Sequence, residues 1–164
     1  MGWKITKDVP VNELKINLLY SFFLLAPDIS YERILDTDIS VGAAISASLD
    51  TDRNPYKFIF TPYFRWFFGG SSESLEKAGS GFFIEANGSV YSQEVASYSY
   101  IGNNDVASSK SVTGAGLGLA LGWKYLSRNN WVGEIYAGAG RNFINNNYNA
   151  EAYPRMGISI GKRF

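Results

Sequence analysis

The sequence predicts an all-β fold: an eight-stranded antiparallel up-and-down transmembrane β-barrel. Three observations lead there. Apolar residues alternate with small or polar ones at a period of two along nearly the whole chain, and helical period is hard to find. The stretches so marked run to about 9–14 residues, longer than the ~5–6 usual in soluble sheets and close to the ~9–11 that cross a membrane at a tilt. One face of these strands is continuously bulky with few charges, and the other is small and polar.

Each element follows from the same pattern. The first strand sets Leu14, Ile16, Leu18, Tyr20 and Phe22 against Lys15, Asn17, Leu19 and Ser21. Further on, Val41, Ala43, Ile45, Ala47 and Leu49 alternate with glycine, serine and Ala44. Phe58, Phe60, Pro62, Phe64, Trp66 and Phe68 oppose Ile59, Thr61, Tyr63, Arg65 and Phe67. Phe82, Ile84, Ala86 and Val90 oppose Phe83, Glu85, Asn87 and Ser89. Leu117, Leu119, Leu121, Trp123 and Tyr125 oppose Gly116, Gly118, Ala120, Gly122 and Lys124. At the end, Met156, Ile158, Ile160 and Phe164 oppose Arg155, Gly157, Ser159, Gly161 and Arg163. The alternation predicts strands at about 12–24, 28–36, 39–50, 56–69, 80–91, 111–126, 131–143 and 153–164. Segments such as "APD", "DTD", "SRNN" and "NNNYNAE" break them with turn chemistry. The stretch 92–110 is expected to be the longest loop.

Eight strands close into a barrel whose interior is just wide enough for side chains. Glycine and serine suit that lumen. So does a network of matched charges, Lys15, Glu32, Arg65, Glu85, Lys124, Glu134 and Arg155, since a buried charge must be paired or solvated. Glu85 and Arg65 are expected on neighbouring strands, as are Lys124 and Glu134. The bulky face then looks outward, where an apolar band of that extent is tolerable only in lipid. With both chain ends periplasmic, the lower rim receives Trp66, Phe68, Phe82, Trp123, Tyr125, Trp131 and Phe164 as an interfacial aromatic girdle. The upper loops are expected to hold Tyr98, Tyr100, Tyr148 and Tyr153, as rim packing or as a binding surface. Arg141, outward at the upper end, is a candidate contact for lipopolysaccharide phosphates.

A C-terminal strand of alternating apolar residues ending in Phe resembles the signal by which outer-membrane barrels are recognised for insertion. Met156, Ile158, Ile160 and Phe164 match it, and Lys162 departs from it. Over roughly 12–164 the chain is similar to a family of small, functionally uncharacterised bacterial outer-membrane barrels, akin in architecture to the OmpA, OmpX and OmpW barrels. "NELKINLLYSFFLLAPDISYERIL", "TPYFRWFFGG" and "GFFIEANGSVY" carry that resemblance. It implies a fold and a location and no activity.

Composition narrows the function. The 164 residues make one domain, with 1–11 as an N-terminal periplasmic segment. Lys+Arg and Asp+Glu stand at 15 each, so no net field draws the chain to nucleic acid. There is no histidine and no cysteine, which removes the commonest general base and metal ligand and any disulfide framework. No enzyme, cofactor or metal is expected. No run approaches the ~20 apolar residues of a transmembrane helix. No signal-peptide h-region follows Met1, which leaves a cytosolic chain or a mature sequence with an added start. The strand pattern favours the second, and the bacterial outer membrane as its location. The expected partners are membrane lipid and lipopolysaccharide, the barrel-insertion machinery through the last strand, and a larger outer-membrane complex in which this barrel is an accessory subunit. The alternatives are a narrow passive channel and a soluble lipocalin-like carrier, which needs the bulky face inward.

Three short motifs carry less than they suggest. "DTDRN" at Asp50, Asp52 and Asn54 starts like a calcium loop, but Pro55 and Thr61 stand where glycine and glutamate are required. The glycines of "GAGLGLALG" follow no βαβ context. "NGS" at 87–89 is an acceptor sequence in the middle of a strand.

Overall fold

The computed structural model describes residues 9–23, 25–49, 56–68, 78–101, 104–144 and 151–164, with side chains for all of these except 95–109. Its elements are β1 (Asn12–Asn17), α1 (Leu18–Phe23), β2 (Asp28–Asp36), β3 (Ile39–Ala47), β4 (Tyr56–Phe68), β5 (Gly81–Ile101), β6 (Asn104–Leu126), β7 (Trp131–Asn142) and β8 (Ala152–Arg163). The strands pair antiparallel in chain order, and β8 returns to β1 to close the barrel. At the closure, the Asn12 and Phe164 backbones exchange hydrogen bonds of 3.1 and 2.8 Å. We call the end that carries residues 12 and 164 the lower end.

The period-two pattern sets which side chains face out. Leu14, Ile45, Phe64, Leu119, Ile135 and Ile158 are exposed, while Lys15, Arg65, Glu85, Lys124 and Glu134 are buried. A slip of one residue in any register would swap those sets, so the pattern fixes the register. Pro62 has no N–H to give, and the β4–β5 ladder skips from Phe60 to Tyr63. At the lower end, Asn130 supplies the left-handed residue of the β6–β7 turn, at φ 62°.

Three expectations are corrected. The first strand does not run to residue 24; it stops at Asn17 and continues as α1. Asn17 Oδ1 accepts the Leu19 N–H at 3.1 Å and so caps the helix start. Leu25, at φ 48°, follows its end, and the Ala26 N–H returns to the Tyr20 carbonyl at 3.2 Å. Asn17 before a short, largely apolar run, with Ser21 within it, was the available signal, since periodicity does not separate helix from strand in such a run.

The second correction concerns 92–110. It is no loop: β5 and β6 extend into one long hairpin whose register continues to Ile101↔Asn104. Serine and tyrosine alternate from Ser97 to Tyr100, and Gly102–Asn103 stands between the strands. Both are hairpin signals.

The third concerns the interior, which is not only small and polar. Phe67, Phe83 and Tyr136 form a buried cluster inside it. Glycines on neighbouring strands make the room. A Cβ on Gly42 would come within 2.5 Å of Tyr63 Cζ, one on Gly122 within 2.5 Å of Phe83 Cζ, and one on Gly157 within 2.5 Å of Tyr136 Cζ.

Candidate functional site

Among the described residues, the buried charges lie in the lumen. Five cations, Lys15, Arg65, Lys124, Arg155 and Arg163, meet five carboxylates, Glu13, Asp28, Glu32, Glu85 and Glu134. The seven charges expected inside are all there, joined by Glu13, Asp28 and Arg163. Parity alone could have added these three, because Glu13 shares a face with Lys15, Asp28 with Glu32, and Arg163 with Arg155.

Glu32 is the hub. It accepts hydrogen bonds from Lys15, from Ser40 at 2.5 Å, from Arg65 at 2.8 Å, from Lys124 at 2.5 Å and from Tyr63 at 3.3 Å. These donors come from β1, β3, β4 and β6, so one carboxylate on β2 ties opposite walls together. Arg65 is the matching cation. It donates to Glu85 at 2.8 Å and to Glu134 at 2.7 Å, and its Cζ lies 4.3 Å from the Phe83 ring centre and 4.5 Å from that of Tyr63. Aromatic faces on a guanidinium replace part of its lost hydration.

Arg65 and Glu85 are cross-strand neighbours and bond directly. Lys124 and Glu134 are also register partners, yet their bonds run elsewhere. Lys124 reaches Glu13 at 2.9 Å and Glu32, and Glu134 takes Lys15 at 2.8 Å and Arg65. The lumen is narrow enough that side chains bridge it and need not follow the wall.

The network continues to both ends. Below, Arg163 holds Glu13 at 2.5 Å and donates to the Ala78 carbonyl at 2.8 Å. The Gly79 N–H is fixed on the Thr37 carbonyl at 2.9 Å, so Ala78–Gly79 is folded under the lower mouth. Above, Arg155 donates to Glu85 at 2.9 Å. Asn17 donates to Asp28 at 3.0 Å and to Tyr136 at 3.2 Å. Tyr153 donates to Asn87 at 3.1 Å. Tyr153 is therefore no loop residue: it lies on β8 and points inward, over Gly116. Tyr148, the Tyr98 and Tyr100 side chains, and Asp50, Asp52 and Asn54 lie outside the described residues.

On the outer surface, Trp66, Phe82, Trp123, Tyr125, Trp131 and Phe164 are exposed and Phe68 is half-buried, all toward the lower end. Adjacent rings touch, with Trp66 and Phe68 at 4.7 Å between centres and Phe68 and Phe82 at 6.3 Å. Met156, Ile158, Ile160 and Phe164 face outward, and Lys162 sits over the Trp131 ring at 5.9 Å. Arg141 is exposed near the upper end of β7. Among the described residues, no cluster of His, Cys, Asp or Glu is arranged to hold a metal ion.

This arrangement has a solved counterpart. The N-terminal β-barrel domain of Pseudomonas aeruginosa OprF superposes with a TM-score of 0.56, over 94% of this chain and 98% of that one, at 14% identity. The chain has the fold of that barrel. At this identity the likeness speaks for the fold alone. The Yersinia pestis outer membrane protein Ail, solved in a phospholipid bilayer nanodisc, aligns over 94% of this chain and 99% of that one at 12% identity, with a TM-score of only 0.35. No protein-family model and no curated protein matches the chain.

Proposed function

We propose that this chain is an integral barrel of a Gram-negative outer membrane, with its chain ends periplasmic and a structural or interaction role. In that role it docks as an accessory subunit on a larger outer-membrane assembly. One observation carries the reading: exposed large apolar side chains ring the outside of the wall, and ten ionised groups are buried inside it. Such a surface in water would be a severe aggregation liability, and in a bilayer it is the ordinary solution. Closure satisfies the backbone groups that lipid cannot. The aromatic girdle would mark the lower interface.

The same geometry argues against both rivals. A carrier needs an apolar interior, and here the middle of the lumen is a charge network. A channel needs an open path, and Arg65, Glu32 and Glu134 meet across the axis while Arg163 pins Ala78 under the mouth. Nor is an enzymatic role proposed, since the buried charges are engaged with one another. In planar bilayers the protein is expected to be silent; discrete, reproducible openings would favour the channel. Isolation from native membranes in mild detergent is expected to bring down a stoichiometric partner.

A further inference from the structure

Because β1 ends at Asn17, the barrel wall has a seam. On the β1 side, β8 is paired only from Ser159 to Arg163, and above that point its edge meets no strand. Asn17 bridges the start of the gap, its Oδ1 accepting the Ile158 N–H at 3.3 Å, and α1 packs over the rest. Two spaces lie on either side of it. Inside is a cavity of about 160 Å³ in the upper lumen, walled by Tyr20, Tyr56, Tyr91, Tyr153, Asp28 and Arg155. Outside is an apolar groove of about 350 Å³ between α1 and β8, lined by Leu19, Tyr20, Phe23, Pro154 and Met156. Tyr20 and Pro154 belong to both.

We infer that this seam binds a single-chain amphiphile taken laterally from the bilayer, its chain in the groove and its head in the tyrosine-walled cavity. This rests on the lipid-facing reading of the outer surface. The groove is continuous with the outward apolar face through Met156, followed on the same strand by Ile158 and Ile160, so an acyl chain is its natural occupant. The head is neutral and hydroxyl-bearing. Arg155 is already matched by Glu85, and Asp28 adds a second carboxylate, so the cavity has no spare positive charge for an anion. It does offer aromatic faces, a guanidinium and a carboxylate, which together donate to and accept from hydroxyls. Tyr91, 3% exposed, is one of the residues that line the cavity, and its hydroxyl has no partner among the described residues. A buried polar group left so is costly, and a ligand hydroxyl would satisfy it.

The test is photolabelling of the full chain in phosphatidylcholine nanodiscs. A photoreactive monoacylglycerol is expected to label the segments 19–23 and 154–156, with excess unlabelled monoacylglycerol competing and oleate competing poorly. Ala44→Phe, which fills the cavity from β3, is expected to abolish that adduct while circular dichroism still reports the barrel. A photoreactive phosphatidylcholine, run in parallel, is expected to label the outer belt all round. Monoacylglycerol labelling spread evenly over that belt, or unmoved by competitor, would overturn the seam site and leave the membrane reading standing. Absence of phosphatidylcholine labelling would overturn both.

Discussion

Arg65 on β4 donates to Glu134 on β7 at 2.7 Å, although β5 and β6 separate their strands in the wall. Contacts of this kind turn eight hairpin-linked strands into a filled cylinder. They also give Arg65 three carboxylates to hold, since Glu32 and Glu85 depend on it too.

Removing that cation is therefore expected to be severe. Arg65→Met leaves buried carboxylates uncompensated and should cost about 3–5 kcal/mol. Lys57 and Glu94 form a half-exposed pair at the surface, and Lys57→Ala should cost less than about 1 kcal/mol. Denaturant titrations of the two variants, refolded in lipid vesicles, check the contrast. Equal losses would mean that the lumen network does not hold the barrel together.

Glycine substitutions should divide by what lies above them. A methyl group at Gly122 meets Phe83, and Gly122→Ala should cost about 1–3 kcal/mol as overpacking. Gly133 has nothing within 4 Å of the same position. Gly133→Ala should be neutral or stabilising by up to about 1 kcal/mol, because it restricts the unfolded chain. Thermal or denaturant midpoints in one detergent decide the matter. Similar values for both would count against glycine as the seat for the interior rings.

The outward face can be probed with a charge. Leu119 is 63% exposed, two pleat repeats above Trp123 on the same face of β6. Leu119→Arg should weaken folding into vesicles by about 2–4 kcal/mol if that face lies deep in hydrocarbon. An arginine tolerated there, with vesicle folding unchanged, would place the residue in water.

Asn17 joins three features: it caps α1, bonds Asp28 and closes the foot of the seam. Asn17→Ala should cost about 0.5–2 kcal/mol for the lost cap alone. Hydrogen exchange should locate the loss, with amides of 19–23 exchanging faster and those of β4 to β7 unchanged. A uniform rise across all strands would show that the helix is not an independent feature of the wall.

The order of residues was enough to read the alternation, hence most of the strands, their inward and outward faces and the exposed aromatics near the lower end. Those are local consequences of a period of two, and Lys15, Arg65 and Ile158 declare their sides without reference to any neighbour. What crosses the barrel depends on the assembled fold. Lys124 bonds to Glu13 and Glu32 and not to its register partner Glu134, because the distance across a narrow lumen is shorter than the side chains and no one-dimensional pattern contains it. The assembled fold also decided where β1 stops. Leu18–Phe23 is largely apolar, with Ser21 in its middle, and suits either conformation, and the choice fell to helix where Asn17 caps one end and the unpaired edge of β8 takes the other face. The rings of Phe83 and Tyr136 were legible as inward by parity, but the glycines that receive them could be recognised only once the strands were laid side by side.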